Sequence, residues 1–336
     1  MSSIKDVAKR AGVAISTVSK VQNGYNGVSE DTKKKVNEAI AELNFTPNAV
    51  AAALSSKQSA RVAILLNLTE KNEAVDEIDL QYLAGAIHRA RGLKLDVITL
   101  FFSMLEDKEP QEVINYLKAQ NVEGIIIYRM SRQDRLIQEV IESGSFKAVV
   151  MSAPFWNENT SSVCIDQKRA QYDVVKKTIE ENEHCRRVLY IAGSRGSFVT
   201  EARIAGVEQL AEEMGLDLTI EYGNFSEKRA RELTFSYADK KDVFACASDL
   251  MAIGSMRALM ELDVFHPVCG FDGITLMGYA GKQMNTVRQD FYRMSANAME
   301  ELYGLMHGEK GRLLVPEYEL VRIRYQDVLN GMTHYI

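Results

Sequence analysis

The chain has 336 residues, 46% hydrophobic and 26% charged, the balance of a globular protein with two or three domains and not of a disordered or fibrous one. No apolar run reaches the ~18 residues of a membrane span, and no signal-type apolar segment opens the sequence. The net charge of −6 is uneven: residues 1–60 hold eight Lys/Arg against five Asp/Glu, and the rest holds 32 against 41. A basic head on an acidic body suits a head that meets phosphates, although so short a segment can reach this excess by chance. Four dispersed cysteines (Cys164, Cys185, Cys246, Cys269) show no CxxC or metal-ligand spacing and read as reduced thiols of a cytoplasmic protein.

The first elements are short helices. Ser3-Ile4-Lys5-Asp6 reads as a capping box, Val7, Ala8 and Ala11 give an apolar stripe, and Gly12 permits a turn. Thr17, Val18, Ser19 and Val21 continue a second helix that Asn23-Gly24 ends. Ser29 caps a third, with Val36, Ala39, Ile40 and Leu43 at helical spacing. Val18, Val21, Val36 and Ile40 should form a small core. Helix, tight turn and second helix is the pattern that places a recognition helix in a major groove, and the positions left to face it are Ile15, Ser16 and Lys20.

After Arg61 strands and helices alternate. Strands are expected at 60–68, 95–103, 124–130 and 147–152, with helices near 76–91, 110–120 and 132–143. A second cycle starts at VCID (163–166) and continues with strands at 187–193, 218–223, 243–248 and 268–272 between helices near 168–182, 200–214, 226–237 and 249–262. The tail adds NTVRQD (285–290), a helix near 291–307 and a strand pair within 313–325. Such near-continuous apolar strands suit parallel sheets covered on both faces. The fold class is therefore α/β: an all-helical helix-turn-helix head, then a two-lobed parallel body with a ligand crevice at the carboxyl ends of the strands.

The run IKDVAKRAGVAISTVSKVQNG…VSEDTKKKVNEAIAELNFTPN resembles the head of the LacI/GalR family of bacterial transcription repressors. The resemblance extends over the whole chain and implies a helix-turn-helix head at 1–46, a hinge at 47–60 and an effector-binding, dimerising body at 61–336. That body resembles periplasmic sugar-binding proteins, with one lobe near 61–162 plus 291–321 and the other near 163–290 plus 322–336. By resemblance Ile15, Ser16, Thr17 and Lys20 read DNA, and Asn23, Ser29 and Thr32 contact phosphates. Lys20 stands where Arg is usual and lacks its bidentate fork; Ala14 stands where a capping Ser is usual. Ser29 equally fits a cap alone, and Lys33–Lys35 a solvated helix face. TPNAVAAALSS matches the family's hinge, in which Leu54 wedges into a base step while Asn48 and Ala51 allow capping and close approach. A packed linker core is the other reading of Leu54.

In the body, Arg203 in EARIAGVEQL and Asp272 in CGFDGI match the family's ligand-binding Arg and Asp, a planar donor fork and a carboxylate suited to adjacent hydroxyls. Ser248, Gln289 and Phe291 occupy further pocket positions. Asp249 reads as a helix cap. Trp156, the only tryptophan, falls in a loop expected between the lobes, where it either stacks on a ring or is an ordinary loop residue. Ala153-Pro154, Asp166-Gln167 and the acidic segment 67–79 depart from the family pattern where ligand identity is set.

These features together imply a homodimer, or a tetramer, on pseudo-palindromic operator DNA. A small polar effector, a sugar or sugar derivative, controls its affinity. A nucleoside, purine or partner protein is the alternative effector, and a stand-alone sugar-binding protein the alternative class. No cofactor, metal or membrane partner is implied. GSRGS (193–197) matches neither nucleotide-loop pattern, and no catalytic motif is present, so the chain is not expected to be an enzyme.

Overall fold

The structure, a computed structural model, describes residues 3–22, 27–43, 45, 60–67, 75–182 and 184–332. It divides into two compact units, 1–59 and 60–336.

In the head, α1 (Ile4–Ala11) opens on the expected capping box. The Ser3 hydroxyl accepts from the Asp6 N–H, and the Asp6 carboxylate accepts from the Ser3 N–H at 2.8 Å. Those bonds hold the Asp6 carboxyl below the usual carboxylate range. Gly12 ends the helix at φ 66°, a left-handed turn that a side chain would strain. α2 (Ile15–Gln22) and α3 (Glu30–Glu42) follow, the latter capped by Ser29. Val7, Ala8, Val18, Val36 and Ala39 are buried, and Val21, Ile40 and Leu43 pack around them. An Arg10–Glu42 ion pair at 2.6 Å ties α1 to α3.

The body begins with β1 (Arg61–Leu66), α4 (Val75–Gly92), β2 (Asp96–Phe101), α5 (Pro110–Ala119), β3 (Val122–Tyr128), α6 (Arg135–Glu142), β4 (Lys147–Met151) and β5 (Thr160–Val163). The strands form one parallel sheet. Its apolar runs are continuous because both faces are covered: Val62, Ile64 and Leu66 join one apolar cluster, Ala63 and Leu65 the other.

The second cycle differs from expectation at its start. The strand expected at 163–166 lies earlier, as β5, and pairs with β4 in the first sheet. Asp166 instead caps α7 (Gln167–Glu180). β6 (Arg187–Ala192), α8 (Phe198–Met214), β7 (Asp217–Tyr222), α9 (Glu227–Tyr237), β8 (Val243–Cys246), α10 (Asp249–Glu261) and β9 (Val268–Cys269) then build a second parallel sheet, ordered β7-β6-β8-β9.

The chain next returns to the first lobe. After β10 (Thr286–Arg288), α11 (Phe291–Met306) packs along α4 so closely that a Cβ on Gly85 would collide with the Tyr292 carbonyl. β11 (Leu313–Leu314) and β12 (Glu319–Val321) are not a strand pair as expected. β11 extends the first sheet beside β5, and β12 pairs antiparallel with β10 in a separate two-stranded crossover. α12 (Tyr325–Met332) closes the described chain. Cys246 and Cys269 are buried, Cys164 and Cys185 half-buried, and all four are free thiols. Among the described residues no helix is long and apolar enough to cross a membrane, and no group of His, Cys, Asp and Glu could hold a metal ion.

Candidate functional site

On the head, the buried face of α2 is Val18, which leaves Ile15, Ser16 and Lys20 exposed and Thr17 half-buried. Ile15, 44% exposed at the start of the helix, is an apolar side chain the head's own core does not use. An exposed hydrophobe, a hydroxyl and a cation on one short helix can contact a thymine methyl, a base edge and a guanine or phosphate. Ser29 serves as a cap, accepting from the Thr32 N–H, and its hydroxyl lies 2.8 Å from that of Thr32. Both hydroxyls stay at the surface. Asn23, Asn48, Ala51 and Leu54 lie outside the described residues.

In the body, the strand exits converge. Arg129, Ser152 and Asp272 follow β3, β4 and β9 with φ of 61°, 60° and 121°. Left-handed conformations of such residues persist where the surroundings over-determine them, and they cluster at binding sites. Arg203 is buried on α8, stacked 3.6 Å above the Phe271 ring. Its Nε donates to Gln167 Oε1 at 2.8 Å, and its Nη1 donates to the Ala247 carbonyl. Its remaining nitrogen lies 3.6 Å from Asp272 Oδ1, beyond good hydrogen-bond length. Gln289 donates to the same Asp272 oxygen at 3.3 Å, while its own Oε1 is buried with no partner.

Asp249 is not a helix cap. Ser248 holds that role, its hydroxyl accepting from the Met251 N–H. The Asp249 carboxylate accepts from the Gly273 and Ile274 N–H groups at 2.7 and 2.8 Å and from the Thr286 hydroxyl. It thus pins the loop carrying Asp272 to β10. Burial, reinforced by the charge of Asp272, raises Asp249 to about 7. Burial also raises Asp272 to about 6, against the pull of Arg203.

The first lobe contributes residues the sequence did not single out. Tyr82 on α4 lies edge-on to Phe291 at 5.2 Å and 4.8 Å from Tyr128, and its hydroxyl is 3.4 Å from that of Ser152. The charges of Asp272, Asp79 and Arg129 all reach its hydroxyl. Arg203, Asp272, Gln289 and Phe291 are therefore brought together, with Ser248 beside them as a cap. Trp156 is not. It is 49% exposed on the turn entering β5, at the amino end of that strand and away from the strand exits.

The lobes also touch beside this cluster. Glu77 accepts from the Thr275 N–H and hydroxyl, the latter at 2.7 Å. The Arg132 N–H donates to the Gly196 carbonyl at 3.0 Å, and its guanidinium pairs with Glu201. A separate groove of 1060 Å³ opens beside Gln289, between α11 and the crossover. Its Arg288 is paired with Glu319.

A helical head with an exposed recognition helix, followed by two parallel α/β lobes around a polar cluster, defines a ligand-responsive DNA-binding regulator. Residues 3–48 match the family model for bacterial regulatory proteins of the lacI family. The chain is 30% identical over 329 residues to the HTH-type transcriptional regulator RegA of Clostridium saccharobutylicum, covering 95% of this chain and 96% of that one. It is 28% identical to catabolite control protein A of Staphylococcus aureus over 321 residues, 91% and 93% of the two chains. The Lac repressor dimer bound to operator and the anti-inducer ONPF superposes with a TM-score of 0.80 at 25% identity, covering 96% and 98%. The CelR–cellobiose complex shares the fold, with a TM-score of 0.70 at 24% identity and coverage of 96% and 99%. The chain belongs to the lacI family: it is a DNA-binding transcriptional regulator and not an enzyme.

Proposed function

We propose that this regulator represses transcription from the cytoplasm as a homodimer on a pseudo-palindromic operator, and that a saccharide bound between the lobes sets its operator affinity. Residues 1–46 act as the reading head, 47–60 as the hinge and 61–336 as the effector body. The observation that carries the effector reading is the Arg203–Asp272–Gln289 cluster. It holds an Arg nitrogen poorly engaged, a buried Gln acceptor unfilled and aromatic rings alongside. Sugar hydroxyls both donate and accept, and their C–H faces pack on aromatic rings.

Dimerisation is supported by exposed apolar side chains on the body. Leu80 and Ile87 lie on one face of α4, with Tyr292 on the adjoining α11. Leu276, Tyr279, Tyr325 and Leu329 are exposed as well, with the Tyr279 and Tyr325 rings in edge contact. Exposed apolar side chains grouped on one helix face mark an interaction surface, and a self-complementary one gives two heads related by a two-fold axis. The test is selection from a random duplex library with the full-length protein, followed by gel shift under saccharides. A symmetric site whose affinity a saccharide changes, with the change lost in Asp272→Asn, is the expected result. Enrichment of no symmetric site, or indifference to every saccharide, overturns it.

A further inference from the structure

The structure assigns the first lobe's half of the effector site to the Arg129–Asp79 ion pair, and we propose that this pair restricts the ligand to neutral polyhydroxylated molecules, excluding phosphorylated and carboxylated sugars. The inference rests on the saccharide reading above and narrows it.

Arg129 leaves β3 in a left-handed conformation, its carbonyl accepting from the Asn67 amide at 3.4 Å. Its guanidinium meets Asp79 Oδ1 at 3.0 Å. Asp79 is buried on α4, one turn before Tyr82, so the pair and the aromatic ring share one helix face. The positive charge of Arg129 reaches both Tyr82 and Asp272, which places it toward the second lobe's cluster. Each lobe therefore presents an Arg and an Asp side by side: Arg129 with Asp79, Arg203 with Asp272.

Charge matching decides the ligand class. Among the described residues, the paired charges of this cluster are Arg129 with Asp79 and Arg203 with Asp272, and Asp249 lies directly behind. Each of these two cations stands against a carboxylate. A phosphate or carboxylate would enter beside at least two carboxylates in a water-poor site, where like charges repel most strongly. A hydroxyl accepts from the Arg and donates to the Asp at once, and such charge-assisted bonds are the strong ones.

The experiment is calorimetric titration of the full-length protein with neutral mono- and disaccharides and, for each, its 6-phosphate and uronic acid. Expected are binding of a neutral sugar only, a loss of about tenfold or more in Arg129→Met, and acquired binding of the acidic counterpart in Asp79→Asn. Removing Asp79's charge leaves Arg129 as a free cation, and a purely structural pair would not create that gain. Since Arg129→Met removes the cation beside a buried carboxylate, the double variant Arg129→Met/Asp79→Leu, of restored neutrality, is measured beside it and should show the same loss. Preference of the wild type for a phosphorylated or acidic sugar overturns the proposal, as does neutral-sugar binding unchanged in the double variant. If Arg203→Ala still abolishes binding in either case, the saccharide reading stands and only this inference falls. If no sugar, neutral or charged, binds the wild type, both fall.

Discussion

At the scale of single residues, the cleft gathers buried charge around a few hydrogen bonds. Arg203 donates from two of its three nitrogens to Gln167 and Ala247, so it fixes the second lobe's architecture as well as facing Asp272. Arg203→Ala should remove any effector-induced thermal shift and lower stability by about 3 kcal/mol in urea denaturation, because Asp272 is left buried without its counter-ion. Asp249 gives a pH test. Its folded pKa, about 7, lies above the ordinary carboxylate value, so the native state holds the proton longer than the unfolded one. Its contribution is present in full below the unfolded value and is lost as pH rises through about 7. The difference in unfolding free energy between Asp249→Asn and the wild type should therefore shift in the variant's favour from pH 5 to pH 8. A difference constant across that range would sink the argument.

Elements were legible in proportion to how apolar and how local they are. The capping box at Ser3, the buried strands β1, β3 and β6 and the long helices follow from short-range pattern alone. β5 did not, because its sequence is Thr-Ser-Ser-Val. Ser161 donates to Glu301 at 2.8 Å and Ser162 to the Ala153 carbonyl, so a buried polar network replaces the apolar signal and the expected strand slid toward Val163. Strands β11 and β12 were found but mispaired, since partners set by long-range topology leave no local trace. In the site, Arg203 and Asp272 were legible through family resemblance. Tyr82 and Asp79 were not, because α4 reads as an ordinary helix until its neighbours are known, nor was Arg129, which follows an apolar strand whose partners are set by long-range topology. The recognition helix carries its own test. Lys20→Ala, at an exposed position on α2, should cost about 1–3 kcal/mol of operator affinity and relax preference at one base pair, as read by competition gel shift.

At the scale of the whole molecule, the lobes of the body are held together on either side of the cleft by Glu77–Thr275 and by Arg132 with Gly196 and Glu201. Replacing Glu77 and Glu201 together by Ala should raise amide hydrogen exchange at Thr275 and in the 193–197 loop while leaving the strand cores protected. Unchanged exchange there would show that these contacts do not hold the lobes closed. The path of the chain has a further effect, on synthesis. The second sheet, β6 to β9, is an insertion between β5 and β11 of the first. A ribosome therefore delivers a whole lobe before the first sheet receives its last strand, and the outer edge of β5 stays open for some 150 residues of translation, about 8–30 s. An unpaired strand edge is a template for another chain. Nascent chains halted before Leu313 should be the aggregation-prone species, and the two-residue strand that ends this exposure acts as a clasp on a nearly finished molecule.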